Sequence, residues 1–205
     1  MNLKETIRRI LIEQVNQTAT SNTSVYDALQ NSQKRKMVKT PLVLQVNPVL
    51  QKYLSAKPEL IPLYQDIERI LNDKFTEDHF KAEIKYSGGL KELNPNNNMD
   101  PKTVEKFNQM KTVAPTISIR DNSFRDYNKQ KEVFLKYAKK FGGISGGLRQ
   151  AALPGYSQHH TGKAIDVGNY RTINQNIINK YGFKFPYPTD TGFRMAEPWH
   201  IIDIS

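Results

Sequence analysis

The chain has 205 residues, 38% of them hydrophobic and 24% charged, with a formal net charge of +10; this suits one well-buried domain plus a short accessory segment. It holds no cysteine and four histidines, which excludes disulfide frameworks, thiolate metal sites and cysteine nucleophiles and leaves any metal site to histidine and carboxylate. The positive balance suits an anionic partner such as nucleic acid, acidic lipid or a wall polymer, although a basic run like Lys34-Arg35-Lys36 is ordinarily solvated surface.

No stretch approaches the ~20 apolar residues of a membrane helix. Met1–Val15 also lacks the apolar core and small-residue cleavage site of a signal peptide, so synthesis in the cytoplasm without a secretion address is expected. Leu3, Ile7, Ile10 and Leu11 share one helical face, which predicts a short amphipathic helix over residues 1–15, docked on its own domain or on a partner. Residues 16–40, opening with Asn16–Ser24, read as a polar linker. Residues 41–205 read as one domain. Within it, Leu63, Ile67, Ile70 and Leu71 predict a helix over Pro62–Lys74. Residues Asn94–Asn98 form a turn. Asp100-Pro101 is an N-cap and first-turn proline, opening a helix with Val104, Phe107 and Met110 or Lys111 on one side. Thr116–Arg120 is a short β-branched strand. Asp126–Phe141 is a helix with Tyr127, Phe134, Tyr137 and Phe141 on one face, stopped by Gly142-Gly143. Ala164–Val167 and His200–Ile204 are the remaining strands. Helices first and short strands later predict an α+β domain.

Two segments concentrate metal-ligand chemistry: Ser157–Asp166 and Glu197–His200. A hydrolytic zinc site takes three protein ligands from imidazole and carboxylate and keeps one position open; His159, Asp166 and His200 supply that set. Gly162 allows a tight turn between the first two. Asp166 alternates with Ile165 and Val167, so a strand would present it on the face opposite those two, where a carboxylate needs metal or hydrogen bonds. Glu197 precedes a proline and is biased away from helix. Polyproline geometry would put Glu197 and His200 on one side and β geometry on opposite sides, and the spacing does not choose. His160 is assigned to core or surface because neighbours in extended chain point apart. His79 is assigned to the surface, and Trp199 to packing.

Ser157-x-His159-x-x-Gly162-x-Ala164-x-Asp166 followed by Glu197-Pro198-Trp199-His200 resembles the zinc D-Ala-D-Ala carboxypeptidase and dipeptidase family, which also includes phage endolysins that cut the L-Ala–D-Glu bond. Asn122–Gln130 resembles a further upstream motif of that family, with Ser123 in place of its glycine, and Pro154–Ser157 and Tyr181-Gly182-Phe183 also look familial. The likeness covers about residues 115–204. It implies a small antiparallel sheet carrying the zinc site and flanked by helices, the D-Ala-D-Ala carboxypeptidase/hedgehog-like fold. It further implies one zinc ion on His159, Asp166 and His200, Glu197 as general base, Arg125 as oxyanion stabiliser, and peptidoglycan stem peptides as substrate. Arg120 is a second candidate for the arginine role, and a surface ion pair to Asp126 or Asp121 is the structural alternative for Arg125. Ser157 and Gln130 are the expected substrate-binding residues, although a buried structural hydrogen bond serves Gln130 equally well. Without a secretion address, a phage-type lytic enzyme or virion component reaching the wall after lysis or injection is expected, drawn to anionic wall polymers by its charge. The alternative from another class is a non-catalytic wall-binding or virion structural module on the same fold. Nucleic acid as partner has no motif behind it.

Overall fold

The computed structural model describes residues 47–205 apart from Asn122; the expected helix over 1–15, the linker over 16–40 and the first residues of the expected domain lie outside the described residues. Side-chain caps set where most helices begin. The side chains of Asn47, Thr76, Asp100, Asp126 and Asn174 accept first-turn N–H groups of α1 (Pro48–Leu54), α3 (Glu77–Ser87), α4 (Pro101–Lys111), α5 (Tyr127–Phe141) and α7 (Gln175–Lys180), satisfying donors that have no partner inside the helix. Between these lie α2 (Ile61–Leu71) and the short α6 (Ile144–Leu148). Residues in the left-handed region stop α2 at Asn72, α3 at Gly88 and α5 at Gly142.

Four short strands form one antiparallel sheet: β1 (Ser118–Ile119), β2 (Ala164–Gly168), β3 (Phe183–Lys184) and β4 (His200–Asp203), in the spatial order β1-β2-β4-β3. The α+β architecture with helices flanking a small antiparallel sheet is as expected. Two hydrophobic clusters divide the core. The first joins α1, α2, α3, α5 and α6 through residues such as Leu50, Tyr64, Phe80, Phe134 and Leu148. The second backs the sheet with α4 and α7 through Phe107, Met110, Ile165, Val167, Ile178 and Ile201. Burial of each large apolar side chain contributes about 1.5–3 kcal/mol.

The structure corrects several boundaries and faces. The helix expected over Pro62–Lys74 runs from Ile61 to Leu71, and it buries Tyr64, Ile67 and Glu68 while Ile70 is exposed. Glu68 takes the inward place because its carboxylate accepts from the Asn47 carboxamide at 2.6 Å and the Phe75 N–H at 2.9 Å. In α4 the buried face is Thr103, Phe107 and Met110 rather than one led by Val104. In α5 it is Gln130, Phe134 and Ala138, with Phe141 exposed at the helix end. Among the described residues, α1, α3, α6, α7 and β3 were not expected, and no helix is long and apolar enough to cross a membrane.

Candidate metal centre and cleft

Each candidate ligand is held by a different local device. Asp166 lies in β2, where Ile165 and Val167 enter the sheet core and the carboxylate faces the other way, as the alternation predicts. Its cross-strand partner is His200, the first residue of β4, so both side chains stand on the same face of the sheet. His159 comes from a 3₁₀ helix, Gln158–Thr161, capped by the Ser157 hydroxyl. Gly162 ends that helix at φ +72, and a Cβ there would meet the Asn98 carbonyl oxygen at 2.6 Å; both backbone and space demand glycine.

The three ligand atoms lie within 4.8 Å of one another. His200 Nδ1 is 3.0 Å and His159 Nε2 3.5 Å from Asp166 Oδ1. His159 Nδ1 lies 2.7 Å from the Ser123 carbonyl; a carbonyl only accepts, so Nδ1 carries the proton and Nε2 presents a lone pair to the centre. Burial lowers the pKa of the His159 imidazole to about 4, which keeps it in the neutral, ligating form. Burial alone would raise Asp166, but the adjoining His159 and His200 rings hold it well below the usual carboxylate range. Two imidazoles, one of them oriented by a backbone carbonyl, and one carboxylate converge as a donor set that fits a divalent zinc ion.

Glu197 lines the same cleft, of about 200 Å³, as Arg125, His159, Asp166 and His200. The alternative between polyproline and β geometry resolves into a third arrangement. The His200 N–H donates to the Glu197 carbonyl at 3.0 Å, closing a turn with Pro198 and Trp199 at its centre, positions that suit proline. The turn brings both side chains to the cleft. Burial pushes the Glu197 carboxyl above its ordinary value, against the opposing pull of His200, Arg194 and Arg125. Arg125 donates from Nη2 to Asp166 Oδ2 at 3.3 Å and from Nη1 to Gln130 Oε1 at 3.1 Å.

Gln130 is fully buried, and its Nε2 donates to the Ala152 carbonyl at 2.7 Å, so its amide is engaged on both sides in holding Arg125. Ser157 is also buried, its hydroxyl accepting from the His159 N–H; both residues line the cleft. Arg120 lies over the Trp199 ring at 5.9 Å and is not part of the cleft wall. Trp199 meets Tyr170 edge-on at 6.0 Å and also lines the cleft, which goes beyond the packing role expected of it. His160 is fully buried, with Nδ1 2.6 Å from the Arg125 carbonyl and Nε2 accepting from the Gly155 N–H at 3.0 Å. It is a core residue because it sits in a helical turn, not because the chain is extended there. His79 caps α3 by accepting from the Thr76 N–H.

Three contributors escaped the sequence reading. Ser123, at the place of the motif's glycine, donates its hydroxyl to the Arg120 carbonyl and accepts from the Asp166 N–H at 3.0 Å. That departure from the motif was the available signal. Tyr187 stacks on the His200 ring at 5.9 Å. Arg194 lines the cleft wall while bonded to Glu83 in α3, and no spacing in the sequence connects those two.

A family model described as D-alanyl-D-alanine carboxypeptidase (VanY) matches residues 96–202. A curated D-alanyl-D-alanine carboxypeptidase of Enterococcus faecium is 31% identical over 128 residues, which cover 53% of this chain and 38% of the relative; the chain thus spans well under half of that relative's length. Among solved structures, a mutant of a vancomycin-resistance D,D-pentapeptidase VanY in complex with Zn(II) is 21% identical, with TM-score 0.47 over 57% of this chain and 78% of that one. DacB from Streptococcus pneumoniae is 26% identical, with TM-score 0.44 over 58% and 73%.

Proposed function

Because the chain belongs to the D-alanyl-D-alanine carboxypeptidase family, we propose that it is a zinc-dependent peptidase that removes a terminal D-alanine from peptidoglycan stem peptides. The observation that carries this reading is the convergence of His159, Asp166 and His200 within 4.8 Å, with Glu197 and Arg125 lining the same cleft. A wall-binding module would need neither a buried carboxylate nor a guanidinium at that place.

His159 Nε2, Asp166 and His200 Nδ1 would hold the ion. Zinc bound there supplies Lewis-acid polarisation of a peptide carbonyl and a water acidic enough to ionise near neutral pH. The rest falls to the protein's own side chains. Glu197, its carboxylate pushed up by burial, accepts the proton of the attacking water and returns it to the departing amine. Arg125 donates to the oxygen of the scissile carbonyl as that oxygen becomes negative; removal of such a donor costs about 3–4 kcal/mol of barrier. Gln130 and Asp166 fix the guanidinium for that task, and the Ser123 carbonyl keeps the His159 ring in the ligating tautomer.

The reading is tested by incubating the purified protein with a stem pentapeptide ending in D-Ala-D-Ala and weighing the products, with and without chelator. Loss of one alanine, abolished by chelator and restored by zinc, is the expected result. Cleavage at the L-Ala–D-Glu bond instead would make the protein an endopeptidase of the same substrate class, and an intact peptide would overturn the catalytic reading.

A further inference from the structure

The C-terminal half of α3 lies against both stretches that carry the candidate catalytic residues, although α3 precedes the residues that match the family. Glu83 has no exposed surface, and both its oxygens accept from Arg194 Nη2, at 3.2 and 3.1 Å; Arg194 itself is 2% exposed. One turn on, Tyr86 stacks on Phe193 with centroids 4.6 Å apart and planes 13° from parallel. The Ser87 carbonyl accepts from Gln158 Nε2 at 3.4 Å, beside His159. Residues 83, 86 and 87 fall on one helical face, so one face of α3 braces the turn of His159 and the segment leading to Glu197.

From Arg194 the contacts continue into the site. Its guanidinium carbon lies 5.9 Å from the centre of the Tyr187 ring. That ring stacks on the His200 imidazole, 22° from parallel at 5.9 Å, and the Tyr187 carbonyl accepts the Glu197 N–H at 2.9 Å. Between β3 and β4 there is neither helix nor strand, so Tyr187 and Glu197 are held by a few backbone hydrogen bonds, their own included, together with side-chain contacts. Stability alone does not account for the pair. A buried ion pair is often no more stabilising than apolar residues of the same volume, and Arg194 Nε is buried without an acceptor, a further cost.

We propose that Glu83 and Arg194 form a positioning pair through which α3 fixes Tyr187 and, through it, the His200 imidazole and the Glu197 carboxylate. Its activity readout rests on the peptidase reading; its structural readout does not.

Glu83→Gln strands a buried guanidinium and threatens the fold itself, so the deciding full-length variant is Glu83→Leu/Arg194→Met, which replaces both charges with apolar side chains. The expected protein melts cooperatively within a few degrees of the parent. Its kcat falls about 10- to 100-fold with KM within about threefold, and its zinc dissociation constant rises about tenfold, the scale seen when groups that orient metal ligands are removed. In the metal-free protein, the imidazole proton and carbon resonances of His200 shift away from their parent positions as the Tyr187 ring is released. A folded double variant with parental kcat, zinc affinity and His200 resonances overturns the proposal. So does a double variant that no longer melts cooperatively, because the pair is then a stability element. A parent protein inert on every stem peptide would sink the peptidase reading and leave the metal-free His200 resonances to decide the pair.

Discussion

On the proposed peptidase reading, Glu197 separates binding from chemistry at the level of a single side chain. Glu197→Gln keeps the size and the turn but removes the proton acceptor. The expected outcome is unchanged zinc stoichiometry by elemental analysis with kcat lower by about 10²- to 10⁴-fold; His200→Ala should lose zinc and activity together. If Glu197→Gln hydrolyses stem peptides at the parental rate, the base is another group. Gly162 tests the turn that delivers His159. A side chain there must adopt φ +72 and displace the Asn98 carbonyl, so Gly162→Ala should cost at least about 1–3 kcal/mol and lower the melting temperature by several degrees. The cluster of His159, Asp166 and His200 was legible in the sequence because imidazoles are few and the spacing around Gly162 is restrictive. The residues that aim them were not. Tyr187 and the Glu83–Arg194 pair act across 13 and 111 positions of chain respectively, and such contacts leave no local pattern; Ser123, 36 positions from His159, showed only as a departure from the motif.

At the scale of elements, β4, which carries the candidate ligand His200, is anchored at its far end. Asp203 accepts from Lys106 Nζ and from the Thr103 hydroxyl, each at 2.8 Å, and from the Ser205 N–H at 3.0 Å, which ties β4 to α4. Burial would raise this carboxyl, but those hydrogen bonds hold it at about 2, below its ordinary 3.8. A carboxylate depressed in the folded state contributes stability that is present above its unfolded value and is lost as pH falls through the folded one. Asp203→Asn should therefore cost about 2 kcal/mol at neutral pH. The gap between parent and variant in urea unfolding should then close as pH drops from 3.8 towards 2. A gap that is constant across that window would show that the charge of Asp203 does not act there. The capped helices α4 and α5 were readable because Asp100-Pro101, Asp126 and Gly142 are strong terminal signals. Which face is buried was read less well in α2 and α4, since Glu68 and Thr103 turn inward on distant hydrogen-bond partners that hydrophobic spacing does not register. The short α6 and β3 are too brief to show a period.

For the molecule as a whole, the family-matched residues share a core with the helices that precede them. The first core cluster places Leu50, Leu54, Leu60, Tyr64, Ile67, Phe75 and Phe80, all upstream of the match, against Phe134, Ile144, Leu148, Leu153 and Tyr156. Tyr64 also donates its hydroxyl to the Pro154 carbonyl at 2.7 Å, three residues before the capping Ser157. Residues 96–205 expressed alone would expose the second group of side chains while still having to order them. At about 1.5–3 kcal/mol for each large side chain, five of them amount to roughly 10 kcal/mol, comparable with the whole net stability of an ordinary domain. The truncated chain should therefore lack a cooperative thermal transition and near-ultraviolet circular dichroism, with zinc present or absent, whereas the full chain shows both. A cooperative transition in residues 96–205 would mean that the sheet cluster of Phe107, Ile165 and Ile201 folds without the helical layer, and the helices upstream of the match would then be an attachment instead of a support for the segments that line the site.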